Sequence, residues 1–381
     1  MRCVRTEGVY HPDREVIDGT VICIERGEVV DVGTNVPAGA ELIYDGQGYA
    51  LPGFVDAHSH GSIRPGEGDQ LGQMRADPAV QAVRAAHNLR CDLEAGTTTM
   101  RLMGCEHRLD LQLQNLERMG ELTSPRLLPC GGHLTPTNGH GHAITATDGP
   151  EICRKRVRKL LAAGAHHVKY FATGGVSSTS GGLDRVPYSD AEVKTIVTEA
   201  HRQGVHVAAH AHGGVGMRQA VTAGVDTIEH AAALSADEVA LLADADAHAV
   251  GTFTILYDPT GIEAGDADNP EVMAKVKEAR TRSRESWERI LDADIPVALG
   301  TDSMHGNLSK EVTHLVNLGA DPALAIRAIT SEAARAARAE RAGTLEPGAH
   351  GNVVILPKHP LEDLEALANP LVVIKSGERV A

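Results

Sequence analysis

Short apolar runs alternate with longer amphipathic stretches through the middle of the chain. The runs are Phe54–Ala57, Thr98–Leu102, Arg126–Pro129, His167–Phe171, Val205–His210, Thr227–His230, His248–Phe253 and Val297–Thr301. Segments this short read as strand candidates. Between them, Ala79–Glu94, Asp190–Gln203 and Glu271–Leu291 repeat apolar residues at helical spacing. Gly96, Gly164, Gly204 and Gly224 stand where helices should end, and Ala-Gly recurs before the second, fourth and sixth runs. Eight strands alternating with helices predict an α/β chain folded as a (β/α)8 TIM barrel. An open doubly wound sheet is the competing arrangement. No Gly-x-Gly-x-x-Gly follows a strand, so its nucleotide-binding form loses support.

The two ends have a different texture. Thr20–Ile24 and Val29–Val32 flank Arg26-Gly27-Glu28, a hairpin signal, and residues 351–356 and 371–380 are also strand-like. These pieces are too short to fold well separately. Residues 1–52 and 345–381 are expected to pair into one small β-sandwich domain, with the barrel spanning 53–344.

Composition narrows the function classes. A net charge of −15 argues against nucleic acid or an anionic membrane surface as partner, and 3% aromatic residues leave little for stacking bases. No run of about 18 apolar residues would span a membrane. The six cysteines show no Cys-x-x-Cys spacing, so reduced thiols in a cytoplasmic protein are expected. The expected assembly is a homo-oligomer that takes a small-molecule substrate.

The candidate chemistry lies where the strands end. In a barrel, active residues come from the carboxyl ends of the strands. The first run ends in His58-Ser59-His60, whose two imidazoles share a face by strand period. The fourth carries Lys169, the fifth His210 and His212, the sixth His230, and the eighth is followed by Asp302. Singly, each has a plain structural reading: a solvated lysine, a hydrogen-bonded histidine, an N-cap aspartate. Five strand ends aimed at one mouth, each with a ligand-type residue, point to a metal site.

In that order His58-x-His60, Lys169, His210, His230 and Asp302 closely resemble the ligand set of the amidohydrolase superfamily. The stretches Lys169–Val176, Thr137–His142 and Asp226–His230 resemble its imidazolonepropionase-related and Xaa-Pro or Xaa-Arg/Lys dipeptidase-like branch. The resemblance covers nearly the whole chain. It implies two divalent metal ions, zinc being the expected metal. His58, His60 and Asp302 would hold the buried ion, and His210 and His230 the outer one. An ammonium has no lone pair; in this family the lysine is carbamylated, so Lys169 would bridge both ions as a carboxylate. A bridging hydroxide would attack the substrate carbonyl, with Asp302 as general base and then general acid. The implied reaction is cleavage of a C–N bond in a small substrate such as a dipeptide or N-acyl amino acid.

Cyclic amide or carbamate hydrolysis is the alternative within that chemistry. A mononuclear deaminase of the superfamily would lack the strand-four lysine and carry a glutamate shortly after the strand-five histidine. His210-Ala-His-Gly-Gly-Val-Gly216 has no such glutamate. A non-catalytic scaffold or a metal storage protein is less compatible with the full ligand set. His212 rivals His210 by strand period and is otherwise a substrate group. His140, in a Gly-rich loop with His133 and His142, and His305, just past Asp302, are further substrate-contact candidates. Thr173–Ser178 is a second lining candidate, and residues 255–269 a candidate lid.

Overall fold

The parallel strands form where the apolar runs lie. The computed structural model describes residues 1–141, 145–178 and 181–381. We number the central strands β1 (Phe54–Ser59), β2 (Thr97–Leu102), β3 (Arg126–Pro129), β4 (Val168–Phe171), β5 (Val207–Ala211), β6 (Thr227–His230), β7 (His248–Gly251) and β8 (Val297–Leu299). Helices Pro78–Glu94, Asp190–Arg202 and Pro270–Asp292 lie within a residue or so of the expected ranges. The first and last begin with proline, whose fixed φ suits the first helical turn, behind Asp77 and Asn269 side-chain caps.

Among the described residues, the eight strands are parallel and in sequence order but divide into two ladders, β3-β2-β1 and β4-β5-β6-β7-β8. A closed ladder is therefore not what the hydrogen bonds describe; two seams interrupt it. At one seam the chain leaves β3 as an irregular segment that bridges to β4 at Leu134 and Tyr170. At the other, strand β8 ends at Leu299, and Asp302 N–H reaches His58 carbonyl at 2.8 Å. Gly300 makes that approach possible, because a Cβ there would lie 2.4 Å from His58 N. The main apolar core packs the strands against the helices, with Trp287, Tyr170 and Phe253 among its large members.

Strands from both chain ends share a six-stranded sheet. Tyr49–Pro52 pairs antiparallel with Val353–Leu356, and the latter pairs with Val372–Lys375. A four-stranded sheet built from Arg2–Arg5, Val21–Glu25, Glu28–Gly33 and Glu41–Asp45 lies beside it. Val4, Ile22 and Ile24 of the second sheet share a core cluster with Val353, Ile355 and Ile374 of the first. No helix among the described residues is long and apolar enough to cross a membrane.

Candidate active site

Each strand that carries a candidate residue ends against one cavity. The cavity has a volume of about 670 Å³, counting its open mouth, and is lined by His58, His60, Lys169, His210, His230 and Asp302, together with His140 and His212. Register explains the convergence. In the parallel pairing Phe171 lies beside His210 and Ala211 beside His230, so these ends stand level. Two of the residues lie in the left-handed region, His230 at the end of β6 with φ +73° and Asp302 three residues past β8 with φ +45°. Non-glycine residues seldom adopt it, and where the surroundings enforce it the strain marks a functional turn.

The imidazoles are held from outside and free toward the centre. His58 Nδ1 lies 2.6 Å from Glu229 Oε2, His60 Nδ1 is 2.9 Å from Gly104 carbonyl, and His230 Nδ1 is 2.8 Å from Thr252 Oγ1. His210 Nε2 donates to Gly174 carbonyl at 3.0 Å. On the inner side, His58 Nε2 and His60 Nε2 lie 3.5 and 3.6 Å from Asp302 Oδ1. Ligand atoms of His58, His230 and Asp302 all fall within 4.8 Å of one another. One ring nitrogen tethered by an outer partner and the other directed inward is the usual arrangement of metal-ligating histidine.

The electrostatics suit a cation. Burial lowers His60 to about 4 and holds His210 and His230 well below the usual imidazole range, so the ligand-competent neutral form prevails. Burial tends to raise the Asp302 carboxyl, but hydrogen bonding to His58 and the charges of His58, His60 and Lys169 outweigh it and bring it to about 2. Lys169 is 1% exposed. Burial lowers its ammonium to about 8, against the pull of Glu229 and Asp302. The lysine ammonium has no lone pair to offer a cation, but its neutral amine is within reach of neutral pH.

A model of the amidohydrolase family matches residues 49–380. The chain belongs to the amidohydrolase family. Ochratoxinase of Aspergillus niger is 27% identical over 362 residues, covering 85% of this chain and 73% of that protein. Imidazolonepropionase of Salinispora tropica is 26% identical over 372 residues, covering 89% and 86%. A solved prolidase complexed with N-methylphosphonate-L-proline superposes with a TM-score of 0.89 at 26% identity, covering 99% of this chain and 98% of that one. The similarity thus runs to the imidazolonepropionase and Xaa-Pro dipeptidase branch. This amidohydrolase is a hydrolase of carbon–nitrogen bonds.

The remaining candidates divide. His212 and His140 both line the cavity; the His140 ring centroid is 4.7 Å from that of His210, and both His212 ring nitrogens are buried without a partner. Val176 and Ser177 of the 173–178 loop line it too, as do Ile255, Leu256 and Ile262 of the candidate lid. His305 does not. Its Nδ1 is 2.8 Å from Asp92 and its Nε2 3.0 Å from Ile63 carbonyl, outside the cavity wall. After the left-handed turn at Asp302–Ser303 the chain carries His305 to Asp92 and Ile63, so it does not line the cavity as a substrate contact was expected to. His142 lies outside the described residues.

Two residues of this amidohydrolase site went unassigned from sequence. Arg101 and Glu229 are both fully buried, with Arg101 Nη2 2.9 Å from Glu229 Oε1. Burial works to raise the Glu229 carboxyl, yet Arg101 and the hydrogen bond to His58 hold it well below the carboxylate range. The signal was present as a single Arg or acidic residue in each of two buried strands, since charged residues are seldom fully buried unless paired.

Proposed function

We propose that this chain cleaves the amide bond of a small substrate, a dipeptide or N-acyl amino acid, with two divalent metal ions, zinc foremost, at the mouth of the parallel strands. The observation that carries the proposal is the tethered histidine set around Asp302 and Lys169. His58, His60 and Asp302 would hold the inner ion, and His210 and His230 the outer one. Lys169 would bridge them after its neutral Nζ adds to carbon dioxide and loses a proton. When bound, the ions supply Lewis-acid polarisation of the scissile carbonyl and a nucleophile from water at neutral pH.

The chain's own residues do the rest. Asp302 is held ionised at about pH 2 and above, so it can take the proton from the attacking water. It then returns that proton to the leaving nitrogen. His140 and His212, neutral with values lowered by burial to about 3 and about 4, are placed to hydrogen-bond the substrate's polar groups. The cavity lining also carries apolar side chains: Ile63, Leu71, Met74, Val176, Ile255 and Ile262. It favours an apolar side chain beside the amide. The testing experiment is a screen of zinc-loaded protein against dipeptides, N-acyl amino acids and lactams. Turnover of linear amides bearing apolar side chains supports the proposal; turnover of lactams alone redirects it to cyclic amides.

A further inference from the structure

A second group of histidines lies at the other end of the strands. His166, His167 and His206 stand at the amino-terminal ends of β4 and β5. Their ligand atoms fall within 4.8 Å of one another. The geometry follows from the backbone. The register pairs Val168 with Val207, so His167 and His206 lie side by side one residue earlier. Val168 N–H donates to His206 carbonyl at 3.0 Å, and His166 N–H to Pro129 carbonyl at 2.7 Å, so the backbone just before β4 and β5 is tied to the neighbouring strands. The His167 and His206 rings are stacked with centroids 5.3 Å apart, and His166 meets His206 edge-on at 5.3 Å.

By strand period His167 shares a face with Lys169, and His206 with His210. The cluster therefore forms a separate layer below the catalytic mouth, about 7 Å from it along β4 and about 13 Å along β5. His167 is 0% exposed and His206 1% exposed. Buried polar groups are nearly always hydrogen-bonded. Here His167 Nδ1 and Nε2, His206 Nε2 and His166 Nδ1 are all buried with no hydrogen-bond partner. A protonated imidazolium does not explain them. Burial, reinforced by nearby arginines, lowers His166 to about 4 and holds His206 well below the imidazole range. The arginines have partners of their own: Arg101 pairs with Glu229 at 2.9 Å and Arg338 with Asp226 at 2.6 Å.

Three neutral imidazoles with converging, unpartnered nitrogens are a donor set for a borderline divalent ion, with water as fourth ligand. We infer that His166, His167 and His206 form a metal site, separate from the mouth, that takes a zinc-class transition ion and ties β4 to β5 from below. The ion satisfies the orphaned nitrogens and closes the base of the strand layer. Its role is structural, since His167 and His206 are buried.

The test uses the full-length protein, stripped with chelator and reloaded with zinc alone. An anomalous difference map at the zinc edge is expected to show a peak between the three rings. A map with no peak there, from crystals whose mouth histidines carry zinc, overturns the inference. In solution His206→Phe, which keeps a stacking ring but no nitrogen, is expected to bind one zinc fewer per chain than the parent. It should also lose the part of the zinc-induced rise in Tm that Asp302→Ala retains. Equal zinc content in His206→Phe and parent overturns the inference whatever the count at the mouth. A parent binding a single ion that is lost in His206→Phe and kept in Asp302→Ala upholds it while sinking the two-ion reading of the mouth. If His206→Phe does not fold, the map on the parent decides.

Discussion

His58 Nδ1 and Glu229 Oε2 lie 2.6 Å apart, and Glu229 is in turn held by Arg101 at 2.9 Å. An ionised carboxylate accepts only, so this contact places the proton of His58 on Nδ1 and leaves Nε2 free toward Asp302. The ligand tautomer is thus fixed by a buried ion pair below the mouth. Outer partners of ligating histidines are worth about 10–100-fold in metal affinity or activity.

Glu229→Gln tests that link. The neutral amide removes the charge partner of Arg101, and its single oxygen leaves either His58 or Arg101 without an acceptor. Zinc affinity at the mouth should fall by about 10–100-fold, and Tm should fall, because an unpaired buried Arg101 is costly. Isothermal titration of the stripped variant reads the first effect and a melting curve the second. Unchanged zinc affinity would show that Glu229 does not orient His58.

Lys169→Ala should lose the mouth ions and the activity, with partial recovery in a short carboxylic acid. Because burial lowers Lys169 to about 8, its neutral fraction grows as pH rises through that value. At a fixed concentration of dissolved carbon dioxide, reloading of the parent should therefore run faster at pH 9 than at pH 7. A fully active Lys169→Ala variant, or reloading indifferent to bicarbonate, would rule out the bridging role.

Asp302→Asn keeps an oxygen for the ion and removes the base. Positioned acid–base groups contribute roughly 10²–10⁴-fold, so kcat should fall by about that range while the far-UV spectrum is unchanged. A kcat within a few-fold of the parent on a slow amide would move the proton-transfer role to His212.

Glu311 predicts a pH dependence of stability away from the mouth. It is fully buried and accepts from Phe253 N–H at 2.6 Å and Thr254 N–H at 2.9 Å. Burial raises it from 4.5 to about 8, against those hydrogen bonds. Between those values the folded state keeps a proton that the unfolded state has released. Stability from this group therefore falls as pH rises through that window, with a slope of up to about 1.4 kcal/mol per pH unit, and is flat outside it. The Tm of the parent relative to Glu311→Gln should drop from pH 5 to pH 8. A constant difference would mean that Glu311 is ionised throughout.

The strands and their order were legible because buried parallel strands are written as short apolar runs, and the mouth because ligand residues stand at their ends. Where the ladder breaks was not legible, since Gly300 reads as an ordinary turn residue until its approach to His58 is seen. Arg101 and Glu229 were hidden for a related reason. They are 128 residues apart, and only the packing of β2 against β6 across the strand layer makes two isolated charges a pair. Helix Gln70–Arg75, which brings Leu71 and Met74 to the cavity wall, sits among glycines and polar residues with too few apolar positions to show a period. His305 misled because nearness in sequence to Asp302 does not survive a left-handed turn.

The central claim is metal-dependent amide hydrolysis at the mouth, and the direct measurement is amide turnover as zinc is returned to chelator-stripped protein. The His206→Phe variant isolates the mouth ions for this purpose. Activity should be absent without metal, rise with added zinc and level off at two ions per chain. Activity that survives stripping, or no turnover of any linear amide at full loading, would contradict it.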